Sequence, residues 1–313
     1  MILQDFIVRK NGGFYCQYGD FYLDPMQPVP QAVISHGHGD HATPGHAQAI
    51  ATAPTYAFME LRFAKMHLPK TTIYGYYEPF QLGEVTLTFI PAGHILGSAQ
   101  ILMEHKGVRY LYTGDFKLQS DETCEPYESV KAEVLITETT FADPEVTHPD
   151  PVEQIKQLNS VQANIMLGAY ALGKAQRLNA LISKYCPGKT VLVHHGIHPI
   201  HKIYEHFGKP VGKYQLYNRK AMKQQGPEQF IYLVPPMTFR SYRKAKDVVK
   251  VFASGWSHLQ REHHLKLFIS DHVDWADLLT CIKLTEPKEV WTIHGDGRQL
   301  AQYFKDQLPV RII

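Results

Sequence analysis

Residues 34–46 read ISHGHGDHATPGH, an apolar strand end followed at once by His36, His38, Asp40, His41 and His46. In an extended segment alternate side chains point the same way, so His36 and His38 can grip one ion. Asp40 and His41, expected on the turn into a following helix, can face a second. His46, further along that helix, is expected to take no part. Imidazole and carboxylate without thiolate suit zinc, or a borderline first-row ion such as manganese or iron. Gly37 and Gly39 are expected to let the loop close tightly.

The same grammar recurs along the chain. TFIPAGH, YLYTGD, VLITET, LFISDH and VWTIHG each carry an apolar run onto His94, Asp115, Glu138, His272 or His294. Strand ends in an open sheet commonly line one edge, where ligand sites form. One strand-end histidine would mean little, but six aligned segments point to a single two-metal site. A second histidine cluster, VHHGIHPIH, places His198 and His201 three apart on an expected helix. It lacks partner segments, so no third metal is expected there.

The 313 residues can hold one large domain or two of ordinary size. A formal charge of +2 gives no overall preference for nucleic acid or membrane, so any basic surface must be local. Cys16, Cys124, Cys186 and Cys281 form no CxxC pair. They read as reduced, buried small hydrophobes in a cytoplasmic protein. No signal-like apolar run opens the chain, and no run of about 18 apolar residues marks a membrane span.

Short strand-like runs punctuated by Gly, Pro or Asp fill the first third, with one helix, PTYAFMELRFAKM, after Pro54. From about Asp150 helices such as ALGKAQRLNALISKY and HPIHKIYEHF dominate. The first style returns in VVKVFASGW, LKLFISDH, the helix WADLLTCIKL and EVWTIHG. The simplest account is one α/β domain, residues 1–142 and 263–313, interrupted by a second at 143–262.

SHGHGDH, PAGHILGSAQ and YTGD resemble the signature motifs of the metallo-β-lactamase fold. ITETTF, GAYALGKAQRL, FASGW, ISDHVDW and IHG extend the likeness to the β-CASP nucleases, and LGAYALGKAQR to the bacterial ligase-associated DNA exonucleases. The resemblance covers nearly the whole chain and is loosest over residues 205–245. It implies an αββα sandwich with an inserted α/β β-CASP domain. It further implies that His36, His38 and His94 hold one metal, that Asp40, His41 and His294 hold the second, and that Asp115 bridges them. Glu138 matches an acidic residue that orients a histidine, and His272 the histidine that protonates the leaving oxygen; with Asp40 these are the expected catalytic groups. The implied cofactors are two divalent ions, zinc first and manganese second. The implied reaction is exonucleolytic cleavage of DNA, with a DNA ligase and a helicase as partners by family association. In the β-CASP group a late histidine, here His294, goes with RNA-cutting members, so a ribonuclease is the alternative. A small-molecule hydrolase would leave His272 and the insert without purpose.

Chemistry fits that division. Paired cations can supply a nucleophile and neutralise charge developing on a phosphodiester. The departing sugar oxygen needs a proton, and imidazole titrates near neutrality. Glu138, accepting from the other ring nitrogen, would fix the tautomer of His272. Between Lys202 and Lys250 eleven Lys/Arg face three Asp/Glu, interleaved with Tyr204, Phe207, Tyr214, Tyr217, Phe230, Tyr232, Phe239 and Tyr242. Such a lobe suits a polyanionic strand. Gly168 precedes a helix whose N–H groups, with Lys174 and Arg177, are candidates for a phosphate grip. Ser98 in the GSAQ turn and Gly255 in SGW are further candidates to approach the substrate backbone.

Overall fold

The computed structural model describes residues 1–11, 13–66, 68–218, 230–241, 248–260 and 265–313. Of the basic, aromatic stretch, Arg219, Lys220, Lys223, Tyr242, Arg243, Lys244 and Lys246 lie outside these residues. The chain divides into two compact units, Met1–Thr147 with His272–Ile313, and His148–Asp271.

Within the first unit six strands form one sheet in sequence order: β1 (Ile7–Lys10), β2 (Gly13–Cys16), β3 (Phe21–Leu23), β4 (Gln31–Val33), β5 (Gln48–Ala51) and β6 (Lys70–Ile73). Helix α1 (Ala53–Phe63) precedes β6; Thr52 caps it by accepting from the Thr55 N–H, and Pro54 sits in its first turn. Strands β7 (Phe80–Leu82), β8 (Val85–Pro91), β9 (Ala99–His105), β10 (Val108–Tyr112) and β11 (Val134–Thr139) belong to a second sheet.

The second unit follows, with α2 (Pro151–Lys156), β12 (Asn164–Gly168), α3 (Lys174–Tyr185), β13 (Thr190–Val193), α4 (His198–His206), β14 (Gln215–Leu216), β15 (Phe230–Val234), α5 (Pro236–Ser241) and β16 (Val248–Phe252). The chain then returns to the first unit through α6 (Trp275–Thr285), β17 (Glu289–Gly295), α7 (Arg298–Tyr303) and β18 (Val310–Ile312), and the second sheet runs β18-β17-β11-β10-β9-β8-β7.

Side-chain alternation explains why the first unit has four layers. Val33, Tyr110, Tyr112, Val134 and Ile136 join a core cluster with Phe21, Phe89 and Trp291, between the two sheets. Their neighbours point the other way. Ala32, Ile34, Ala49 and Ala51 pack with Met59 of α1. Leu111, Leu135 and Val290 pack with Leu278 and Ile282 of α6 and Leu300 of α7. Helix, sheet, sheet and helix follow one another.

The second unit holds a five-stranded sheet ordered β14-β13-β15-β12-β16, parallel throughout. NIMLG, TVLV and FIYLV are the near-continuous apolar runs that a two-sided burial requires. Its core reaches past residue 262 because Leu267 and Ile269 pack into it.

Two expectations fail here. LKLFISDH forms no strand beyond a single bridge between Ala253 and Leu267. Gln260 takes both backbone groups of Leu267, donating to its carbonyl at 3.0 Å and accepting from its N–H, and Gln154 accepts from the Phe268 N–H. No helix follows Asp40 either. Ala42 and His41 donate to the His38 carbonyl in a single turn; Pro44 then disfavours helical backbone at Thr43, and β5 starts at Gln48. All four cysteines are free and buried. Among the described residues no helix is long and apolar enough to cross a membrane.

Candidate metal centre

Strands β3, β4, β8, β10, β11 and β17 deliver side chains to one edge of the first unit. His36 follows β4, His94 follows β8, Asp115 follows β10, and Glu138 and His294 end β11 and β17. Among the described residues three groups bring ligand atoms within 4.8 Å of one another: His36, His38, His94 and Asp115; Asp24, His36 and His41; Asp115, Glu138 and His272.

In the first group His38 Nδ1 lies 3.1 Å from His36 Nε2 and 3.0 Å from His94 Nε2. Asp115 Oδ2 stands 3.5 Å from His36 Nε2 and 3.8 Å from His94 Nε2. Two backbone constraints hold these side chains. A Cβ on Gly93 (φ +74°) would fall 2.3 Å from the Lys117 carbonyl oxygen, so the residue before His94 must be glycine. A Cβ on Gly37 would meet the Phe58 ring at 2.9 Å, and Arg62 of α1 donates to the Gly37 carbonyl at 2.7 Å. Gly39 has no such close neighbour, so only one of the two loop glycines is sterically required.

Asp24, which follows β3, was not singled out by sequence reasoning. Its buried carboxylate accepts from the Ser35 N–H (2.7 Å), the Ser35 hydroxyl (2.5 Å) and the Tyr112 hydroxyl (2.8 Å), and meets His41 Nδ1 at 2.8 Å. These bonds set two tautomers. Ser35 Oγ gives its proton to Asp24, so it accepts from His36 Nδ1–H at 2.9 Å, and His36 Nε2 faces the centre as a lone pair. His41 Nδ1–H donates to Asp24, and its Nε2 lies 3.4 Å from Asp115 Oδ2.

The electrostatics suit a cation here. Burial disfavours charge on His36, the nearby His41 adds to that, and its pKa falls well below the usual value, which keeps it in the ligand form. Burial also opposes charge on His41, but Asp115 and Asp24 on its two sides override it and raise its pKa well above the usual value. Two acceptors 3.4 Å apart, His41 Nε2 and Asp115 Oδ2, require a proton or a metal cation between them. Burial would raise the carboxyl pKa of Asp115; His41 and His272 outweigh it and hold it well below the carboxylate range. The donor set of imidazole nitrogen and carboxylate oxygen fits a divalent first-row ion.

The other side is more open. Asp40 is exposed, its Oδ2 3.9 Å from His41 Nε2. His294 is exposed with its ring centroid 5.3 Å from that of His41, and neither joins the compact groups. His294 has a left-handed backbone (φ +45°) where the β11–β17 register shifts, a bulge that turns it out of the strand.

His272 Nδ1 meets Glu138 Oε2 at 2.9 Å and Oε1 at 3.1 Å, and its ring centroid lies 4.9 Å from that of His94. Glu138 is fully buried and also accepts from the Phe116 N–H (2.9 Å) and the Thr140 hydroxyl (2.5 Å). Ser98 is buried, its Oγ accepting from the His94 and Ile95 N–H groups. His46 is occupied elsewhere: it accepts from the Val29 N–H and meets Thr43 Oγ1.

In the second unit Lys174 and Arg177 are buried. Lys174 Nζ donates to the Ile269 carbonyl and pairs with Asp271 at 3.0 Å; Arg177 donates to the Ser270 carbonyl and pairs with Asp271 at 3.3 Å. The first turn of α3 is internally bonded too, Lys174 N–H to Leu172, Ala175 N–H to Tyr170 and Gly173 N–H to the Gln176 side chain. These groups are engaged within the protein, unlike the free phosphate donors the sequence reading sought. Gly255 is half-buried. Tyr204, Phe230 and Phe239 are core residues, so their faces are closed to bases.

No family profile matches the chain. Along 96% of its length it is 29% identical to a protein of Opitutus terrae named "Probable DNA ligase", covering 30% of that protein. It is 29% identical to "Endoribonuclease YSH1" of Gibberella zeae, over 54% of this chain and 25% of that one. It is also 29% identical to an "RNase J-like protein" of Methanocaldococcus jannaschii, over 50% of this chain and 44% of that one. The chain thus spans less than half the length of each of these relatives. Among solved structures, a protein of unknown function from Enterococcus faecalis V583 shares the fold with a TM-score of 0.60 and 16% identity, over 90% of this chain and 79% of that one.

Proposed function

We propose that this chain is a two-metal phosphodiesterase of the metallo-β-lactamase and β-CASP kind, a nuclease that removes nucleotides from DNA ends. The observation that carries the reading is the convergence of His36, His38, His94 and Asp115 within ligand distance, beside a carboxylate-backed imidazole, His272. We assign His36, His38 and His94 to one ion, Asp40, His41 and His294 to the other, and Asp115 to both. When bound, the two cations, zinc or manganese, supply a nucleophile at neutral pH and offset the charge that develops at phosphorus.

The chain's own residues do the rest. Asp24 and Ser35 hold His36 and His41 in the tautomers that present Nε2. Glu138, bound to Nδ1 of His272, orients the ring, and in the imidazolium form the Nε2–H is left to protonate the departing sugar oxygen.

DNA is favoured because the match running through 96% of this chain is to a protein named as a DNA ligase. That same match supports a DNA ligase as a partner in end repair. Relatives named as endoribonucleases, together with His294, favour a second reading, a nuclease of RNA. Digestion of end-labelled DNA and RNA, single- and double-stranded, by metal-loaded protein and a His38→Ala control decides between them. RNA cut at least as well as DNA, with both activities lost in the control, moves the function to RNA. No hydrolysis of either polymer with zinc or manganese refutes the nuclease reading.

A further inference from the structure

Charge is divided unevenly between the two units. Residues 148–271 carry 18 Lys/Arg against 7 Asp/Glu, a formal +11, whereas the rest of the chain carries 14 against 23, a formal −9. The near-neutral total conceals a strongly cationic insert. A polyanion is the partner that such a unit attracts.

The sheet of this unit shows where the polyanion's bases would go. Strands β13, β15, β12 and β16 are neighbours and parallel, so their carboxyl ends share one edge. The ends are level, with Val193 and Leu167 opposite Leu233, and Val251 opposite Leu167. Just beyond that edge each strand leads to an exposed, large side chain. In sheet order these are His195, Met237 (84% exposed), Tyr170 (50%) and Trp256 (41%). At about 4.8 Å between strands, the four span a row of about 15 Å. Exposed large apolar groups gathered on one edge mark a binding surface. His194 and His258 extend the row of rings: the His194 and His195 centroids are 3.8 Å apart, those of Trp256 and His258 5.6 Å.

We infer that this edge is a stacking platform for consecutive bases of a single-stranded nucleic acid, with Tyr170 and Trp256 as its principal rings. Every base offers a π-face to an aromatic ring, and a single strand, unlike a duplex, leaves those faces open. The cationic unit supplies attraction for the phosphates without sequence preference. The inference rests on the polynucleotide reading above and adds the strand form and the residues that receive it.

The test uses chelated protein, which binds without cutting, and a fluorescein-labelled oligothymidylate of about 20 nucleotides, longer than a typical single-strand site. Fluorescence anisotropy gives the affinity. Tyr170→Ala and Trp256→Ala are each expected to weaken binding by about 5- to 150-fold, the worth of one stacked base. Tyr170→Phe and Trp256→Phe keep a ring and are expected to stay within about threefold of the parent. An abasic oligonucleotide of the same length is expected to bind parent and alanine variants alike. Alanine variants that hold oligothymidylate as tightly as the parent overturn the platform while leaving the polynucleotide reading intact. A parent that binds no oligonucleotide at low salt overturns both. Sedimentation that shows a dimer dispersed by these substitutions, with oligonucleotide affinity unchanged, assigns the edge to self-association and also overturns the inference.

Discussion

Asp24 offers the sharpest test of how the metal centre is held, because one carboxylate serves four donors. Asp24→Asn keeps the side-chain shape and the oxygen that accepts from the Ser35 N–H. It places an NH2 group where Oδ2 accepts from the Ser35 hydroxyl, the Tyr112 hydroxyl and His41 Nδ1–H. Donors then face donors. His41 relieves the clash by moving its proton to Nε2, which removes the lone pair assigned to a metal. His36 is affected less directly, through Ser35. Loss of such a supporting carboxylate costs about 10- to 100-fold in metal affinity, or roughly 1.4–2.7 kcal/mol. Leaving one or two buried donors unmet at about 1–3 kcal/mol each lowers the stability of the chelated protein by roughly 2–4 kcal/mol. Cobalt(II) titration of chelated protein, followed by visible absorption, resolves the binding steps, and urea unfolding gives the stability. The step carrying His41 is expected to weaken most. Two unshifted binding steps alongside a clear loss of stability would refute the tautomer argument, leaving Asp24 only a packing role.

Three further outcomes are expected. Asp115→Asn abolishes the proposed phosphodiester hydrolysis and lowers the metal taken up from solution, measured by mass spectrometry, since a neutral amide is a poor shared ligand; near-parent turnover removes the bridging assignment. His272→Ala keeps both metals but slows cleavage of a natural phosphodiester by about 10²–10⁴-fold, and a nitrophenyl ester, whose leaving group needs no proton, by much less; equal losses on the two substrates take the acid role from His272. Burial pushes His201 down to about 4, so the folded protein keeps it neutral where the unfolded chain, near 6.5, protonates it. Its contribution is therefore intact above pH 6.5 and is lost as pH falls from there to about 4. The parent loses roughly 2 kcal/mol between pH 7.5 and 5 from this group, and His201→Gln flattens the urea-derived profile by that amount; an unchanged slope rejects it.

Much of the centre was legible because metal chemistry admits few residue types, and the strand-then-ligand pattern marks where they are placed. His36, His38, His94 and Asp115 gather as that pattern implies. The absence of a helix after Asp40 was readable too, from Pro44 and Gly45, whose signal is local. Asp24 also ends an apolar strand, FYL, and the same pattern could have found it. What the linear order hides is its company. Ser35 and His41 follow β4 and Tyr112 ends β10, and only the packing of the two sheets sets them around one carboxylate.

The sequence by itself determined which groups are available and the local backbone that presents them: ligands at strand ends, a glycine at 93, caps at Thr52. Tertiary structure alone decided which charges and backbone groups face solvent. Lys174 and Arg177 have the spacing of a free phosphate grip, yet Asp271, almost a hundred residues away, is packed against both. LKLFISDH has the pattern of a strand, yet Gln260 and Gln154 take the backbone groups a neighbouring strand would need. In each case the winning partner lies outside the segment itself, seven residues away for Gln260 and more than a hundred for Gln154. Hydrophobic periodicity reports which face of an element is buried, but a buried polar group must be satisfied by whichever donor or acceptor the packed chain brings within about 3 Å.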